Sequence, residues 1–118
     1  MTAWLENHRD GLATGDWTVT EIASALATKV RMEVISAETR NLVMSRFNEI
    51  LSENLRRLSV EAADFDTAAR LCSDDTSGLR AGDSLHLAVA SRWGMPFVSL
   101  DKRAVTSAQS VNVDAILI

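Results

Sequence analysis

The 118-residue sequence has one proline, one cysteine, no tyrosine and five glycines. A lone cysteine, Cys72, cannot close an internal disulfide, which excludes a stapled secreted scaffold. So few glycines and prolines exclude collagen-like and low-complexity chains. The aromatic residues are only three Trp and three Phe, little for stacking single-stranded bases. The first residues show no basic segment leading into an apolar run, and no stretch approaches the roughly 20 apolar residues that cross a bilayer. An excess of positive charge is missing too. Lys and Arg number 12 against 16 Asp and Glu, for a net charge of −4, so any grip on a polyanion has to come from a local basic patch. What is present is an ordinary globular composition, 47% hydrophobic and 24% charged. The length suits one domain over residues 1–118. These features predict a soluble, cytoplasmic, single-domain protein.

Two hydrophobic periods alternate along the chain. Residues 2–9 read as a short polar helix, and 12–14 as a brief strand. A helix over 19–31 carries Ile22, Leu26 and Val30 on one face, and Thr18-x-x-Glu21 has the spacing of a capping box at its start. A second helix over 37–53 has Val43, Phe47, Ile50 and Leu51 on one side and Ser36 as N-cap. A short strand is expected over 55–60. Helix 62–72 places Phe65, Ala68, Ala69 and Cys72 on an apolar stripe, with Cys72 as a small core residue. Helix 83–93 is apolar almost all round and therefore buried, and Gly94 stops it. Strand 96–100 ends at Asp101, helix 102–110 follows, and Ala115–Ile118 closes the chain as an internal strand. Short strands alternating with longer helices predict an α/β fold around a mostly parallel sheet. Ligand sites in such sheets lie beyond the carboxyl ends of the strands, where Asp101 falls.

Three acids stand where structure and chemistry both have a claim: Glu21 in a first helical turn, Asp83 at the start of the buried helix, and Asp101 after a strand. Singly, each has an ordinary role as a cap or as a partner of a helix dipole. Jointly, carboxylates from several elements can hold a hard divalent cation, and such a centre can activate water against a phosphoryl group. His86, on so apolar a helix, reads first as a buried hydrogen-bonding residue and second as a general base. Arg80 suits either a phosphate or Asp83. Lys102 and Arg103 are placed to follow a nucleic-acid backbone or simply to open a solvated helix. Arg56-Arg57 reads as an exposed strand edge, and Trp4, Trp17 and Trp93 as core or interface.

The strings Trp17-Thr-Val-Thr-Glu21-Ile-Ala-Ser-Ala-Leu26, Leu79-Arg80-Ala-Gly-Asp83-Ser-Leu-His86-Leu-Ala88 and Phe97-Val-Ser99-Leu-Asp101 together resemble the PIN-domain family, and within it the VapC-type toxins of toxin–antitoxin pairs. The resemblance runs over about residues 12–113 in the family's order. It implies a three-layer α/β/α fold, RNA cleavage dependent on Mg²⁺ or Mn²⁺, a protein antitoxin that blocks the site, and pairing into homodimers. It places metal-binding, catalytic acids at Glu21, Asp83 and Asp101 and matches Ser99 to a hydroxyl residue near the metal; with Arg80, read above as a phosphate or Asp83 partner, Ser99 is expected to help bind the substrate. The family also opens with a hydrophobic strand ending in aspartate, whereas this sequence begins in effect inside the first helix. The expectation is a fold without that central strand and a site without its first acid; Asp10 and Asp16 are the acids near the gap, and both read first as solvated turn aspartates and second as replacements for it. Three explanations for the gap stay open: a start further upstream, a degraded remnant, or a strand supplied by a second subunit. The alternative function is a catalytically impaired scaffold that keeps only dimerisation or antitoxin binding.

Overall fold

Segments bounded by turn residues become the strands, and the longer periodic ones become the helices. The computed structural model describes residues 2–8 and 11–118. In chain order the elements are α1 (Thr2–Asn7), β1 (Ala13–Gly15), α2 (Asp16–Arg31), α3 (Ala37–Glu53), β2 (Arg56–Leu58), α4 (Ala62–Cys72), α5 (Ala81–Arg92), β3 (Phe97–Ser99), α6 (Lys102–Ser110) and β4 (Ala115–Leu117). All strand pairing is parallel, as expected of an α/β chain: β1 with β2 and β3 with β4. By contacts the chain divides into one unit of His8–Leu58 and another of Met1–Asn7 with Ser59–Ile118.

In the His8–Leu58 unit, Ala13 to Gly15 lie in register with Arg56 to Leu58. Parallel neighbours need a long connection, and α2 and α3 supply it. The capping box expected at Thr18-x-x-Glu21 does not form, because α2 begins earlier, at Asp16, with Gly15 at its N-cap. Thr18 therefore lies inside the first turn, where its Oγ1 accepts a 2.8 Å hydrogen bond from the Thr14 hydroxyl. α2 ends on Glu33 in the left-handed region (φ 58°). The Val34 N–H returns to the Lys29 carbonyl and the Glu33 N–H to that of Val30, a Schellman ending built without glycine. Ser36 caps α3 as predicted, its Oγ accepting from the Thr39 N–H at 3.0 Å. On the predicted apolar side of α3, Phe47, Ile50 and Leu51 are half-buried and Val43 is exposed.

In the other unit, Phe97 to Ser99 pair with Ala115 to Leu117. Leu79, Leu87, Val105, Ala108 and Ala115 form its buried core, with Leu71, Phe97, Val111 and Val113 packed around them. The closing strand is less internal than its sequence predicts. Ala115 is buried, but Ile116 and Leu117 are 38% and 48% exposed, because among the described residues β4 has β3 as its only strand neighbour. α5 is buried through Leu85, Leu87, Ala88 and Val89, as its all-round apolar pattern requires, and Gly94 (φ 65°) takes the left-handed position after it.

α4 departs most from expectation. Phe65, Ala69 and Cys72 are exposed, and the buried residues are Ala68 and Asp64. A carboxylate leaves water at high cost unless it is paired and hydrogen-bonded, and Asp64 has both. Arg92, in the last turn of α5, donates from Nε to Asp64 Oδ1 at 2.9 Å and from Nη2 to Oδ2 at 3.0 Å. Arg92 Nη2 also reaches the Ser59 carbonyl at 2.7 Å, and its guanidinium lies 5.5 Å from the Trp93 ring centroid. The Glu61 N–H donates to Asp64 Oδ2 at 2.9 Å.

Removing one partner of such a pair strands a buried charge. Arg92→Ala should therefore destabilise the protein by about 3 kcal/mol, read as a lower urea midpoint. Arg92, helped by the Glu61 N–H, holds the Asp64 carboxyl below its ordinary 3.8, against the opposing effect of burial. A depressed carboxyl contributes stability that is fully present above its unfolded value and is lost as pH falls through the folded one. The urea midpoint should thus drop as pH falls below about 3.8, and this part of the drop should shrink in Arg92→Ala.

Candidate functional site

The site is built where two helices begin. At the first, the loop before α5 is held by its own side chains. Asp74 Oδ1 accepts from the Thr76 N–H and hydroxyl, the Ser77 hydroxyl donates to the Asp74 carbonyl, and Ser77 Oγ accepts from the Leu79 N–H at 3.1 Å. Gly78 turns the chain at φ 70°. A Cβ there would meet nothing within 4 Å, so glycine is required by conformation rather than by space. Arg80 is the N-cap residue of α5, and Asp83, half-buried, is its third helical residue rather than its cap.

At the second, β3 runs into Asp101, the N-cap of α6. Asp101 Oδ1 accepts from the N–H groups of Arg103 (3.0 Å) and Ala104 (3.4 Å). The Asp101 N–H donates to Ser99 Oγ at 3.0 Å. This acid is thus fixed by its backbone and by one carboxylate oxygen, and among the described residues no hydrogen bond engages Oδ2.

A pocket of about 40 Å³ lies between these starts, lined by Gly78, Arg80, Asp83, Asp101, Arg103, Ala104 and Ser107. Two carboxylates and two guanidinium groups share it. Among the described residues, the side chains of Arg80, Asp83 and Arg103 have no hydrogen-bond or ion-pair partner. The donor set suits a hard cation, since Mg²⁺ needs only one or two protein carboxylates when water and phosphate complete its shell.

Of the predicted site residues, the structure brings Asp83, Asp101 and Arg80 to this pocket. Ser99 does not line it but holds the Asp101 backbone. Glu21 lies half-buried on α2, in the His8–Leu58 unit. Among the described residues, no group of three or more His, Cys, Asp and Glu side chains is arranged to hold a metal. Asp16 is ion-paired with Arg57, and Asp10 lies outside the described residues. His86 is half-buried and does not line the pocket. Cys72, expected in the core, is exposed at the end of α4; the stripe fails because Asp64, not Phe65, turns inward.

In the sequence Arg103 reads as following a nucleic-acid backbone or as opening a solvated helix, and Ser107 carries no assigned role. One signal was available. Arg103 and Ser107 are four residues apart and share a face of α6, one turn from the capping acid.

No protein-family model and no curated protein matches the chain. Among solved structures, one described as FitAB bound to an IR36 DNA fragment contains a chain that superposes with a TM-score of 0.68 at 18% identity, covering 98% of this chain and 80% of that one. The likeness shows the fold to be the PIN-like α/β fold. Among the described residues, no helix is long and apolar enough to cross a membrane.

Because Asp101 caps α6, Asp101→Ala should cost about 1 kcal/mol of stability. Asp101→Asn, whose side-chain oxygen can keep the cap, should stay within a few tenths. Paired urea titrations of the two variants check this.

Proposed function

We propose that the chain is a metal-dependent endoribonuclease of the VapC type, the toxin component of a toxin–antitoxin pair. The observation that carries the proposal is the pocket at the starts of α5 and α6, where two carboxylates and two arginines converge on a PIN-like fold. Asp83 and Asp101 would hold Mg²⁺ or Mn²⁺, and Glu21 is the third ligand that the family resemblance adds. A bound divalent cation supplies an activated water and offsets charge on the phosphoryl group.

The chain's own residues do the rest. Ser99 Oγ and the α6 amides keep Asp101 in place. That leaves Asp101 Oδ2 and the Asp83 carboxylate to face a ligand without first breaking an internal bond. Arg80 presents a planar fork suited to a phosphodiester. The similar structure is a FitAB complex on DNA, which favours a protein antitoxin as partner here, and a toxin of this kind would act in the cytoplasm as a homodimer.

One observation favours a second reading, a scaffold impaired in catalysis that keeps only partner binding: Asp83 and Asp101 meet in the pocket without a third acid among the described residues. Asp83→Asn separates the two. Among the described residues the Asp83 side chain has no hydrogen-bond or ion-pair partner, so the variant should stay close to the parent's melting temperature, losing only the small contribution of a first-turn charge. It should also lose metal-dependent RNA cleavage by about two orders of magnitude or more, the scale of removing one preorganised charge-stabilising group. A parent that neither binds Mn²⁺ in calorimetry nor cleaves RNA supports the scaffold.

A further inference from the structure

α3 is 17 residues long and has no buried residue. A helix in a protein is held mainly by packing an apolar face, not by propensity. In the His8–Leu58 unit, the buried hydrophobic residues among those described are Leu26 and Leu58 alone. The half-buried residues Arg40, Met44, Phe47 and Leu51 recur at helical spacing on one side of α3, and α2 is the helix it packs against. At about 100° per residue, Leu42 stands on the opposite side. It is 71% exposed, the highest value among the large hydrophobic side chains described.

One turn to either side of Leu42 stand opposite charges, Glu38 four residues before and Arg46 four residues after, both exposed. Residues at this spacing share a face. Arg46 meets Glu49 through Nη1 at 3.0 Å, an exposed contact of the kind that is worth little and is readily shared. Thr39 and Ser45 flank Leu42 at i−3 and i+3 and are small, so no bulky side chain beside it keeps a second helix away.

The row Glu38–Leu42–Arg46 reads acid, apolar, base. Turned end for end it reads base, apolar, acid. A second copy of α3 crossing antiparallel at Leu42 therefore sets leucine on leucine, Glu38 against the partner's Arg46, and Arg46 against the partner's Glu38. This is the reciprocity an isologous contact demands, with residue i touching j and j touching i. Helices crossing along their i±4 rows form the commonest packing class, at about −50°. A parallel copy would instead set acid against acid and base against base, which repels.

We infer that the outward face of α3 is a homodimer surface, with Leu42 at the twofold axis and two symmetry-related Glu38–Arg46 pairs beside it. An apolar centre with a charged rim is the ordinary anatomy of a protein interface, and the pairs fix register and orientation more than affinity. The inference rests on the homodimer of the proposed function and supplies the surface which that reading leaves unassigned.

The test follows the mass of the intact chain in solution by sedimentation equilibrium. The parent should be a dimer. Glu38→Arg sets base against base at both pairs and Arg46→Glu sets acid against acid, so each variant alone should dimerise about tenfold more weakly or worse. An equimolar mixture of the two should recover the dimer, because each pair then joins opposite charges again. The double variant E38R/R46E should recover it alone. Recovery on mixing requires both single variants to be folded, which separates lost pairing from lost structure. Leu42→Ala should weaken the dimer without any such rescue. A parent dimer indifferent to the charge variants, or weakened by them without recovery on mixing, overturns the surface and leaves the homodimer standing. A monomeric parent overturns both and leaves the face to a partner of different sequence.

Discussion

The bidentate contact between Arg92 and Asp64 is the constraint on which the Ser59–Ile118 unit depends. It fastens the first turn of α4 to the last turn of α5 and lets a carboxylate sit almost wholly out of water, with Asp64 1% exposed. Each partner is also placed well for its own helix, an acid near an N-terminus and a base near a C-terminus. The pair explains the unexpected side that α4 turns inward. Once Asp64 is committed to Arg92, the helix is rotated so that Phe65 faces solvent. Hydrophobic burial alone would have chosen the opposite arrangement.

The two pocket acids are positioned by different means. Asp101 is held locally, by Ser99 and by the amides of the helix it caps. Asp83 has no such bonds, and its place is set by α5 as a whole, through its buried leucines, valine and alanine and the Arg92 clamp at its other end. A site with one acid fixed by its neighbours and another fixed by a helix combines a rigid ligand with one that can adjust.

Much of this was legible in the sequence. The helices over 37–53, 62–72 and 102–110 follow directly from periodicity and, at Ser36, from a local cap, since the interactions that define them lie within a few residues. Gly94 marks its helix end for the same reason. Glu33 and Asn112, which take the same left-handed role without being glycine, carry no such mark. Thr18-x-x-Glu21 misled because a capping spacing is also a common spacing inside a helix, and Gly15 had already begun the turn. The Asp64–Arg92 pair joins residues 28 apart, which no local pattern can reveal, and with it went the correct face of α4 and the exposure of Cys72. The apolar tail was overread: Ile116 and Leu117 are hydrophobic enough for a core, but a two-stranded sheet does not cover them. In the site, Asp83, Asp101 and Arg80 could be named because each stands at a recognisable helix start. Arg103 became distinctive only when the fold set it beside the acids of both helices.

Asp83 and Arg92 stand nine residues apart on one helix, about 13 Å along its axis. Anything that loosens the far end lets the near end swing, as a rod pivots when its distant bolt is drawn. The molecule therefore has a place where its chemistry can fail at a distance, with every group that performs it still present and only their aim lost.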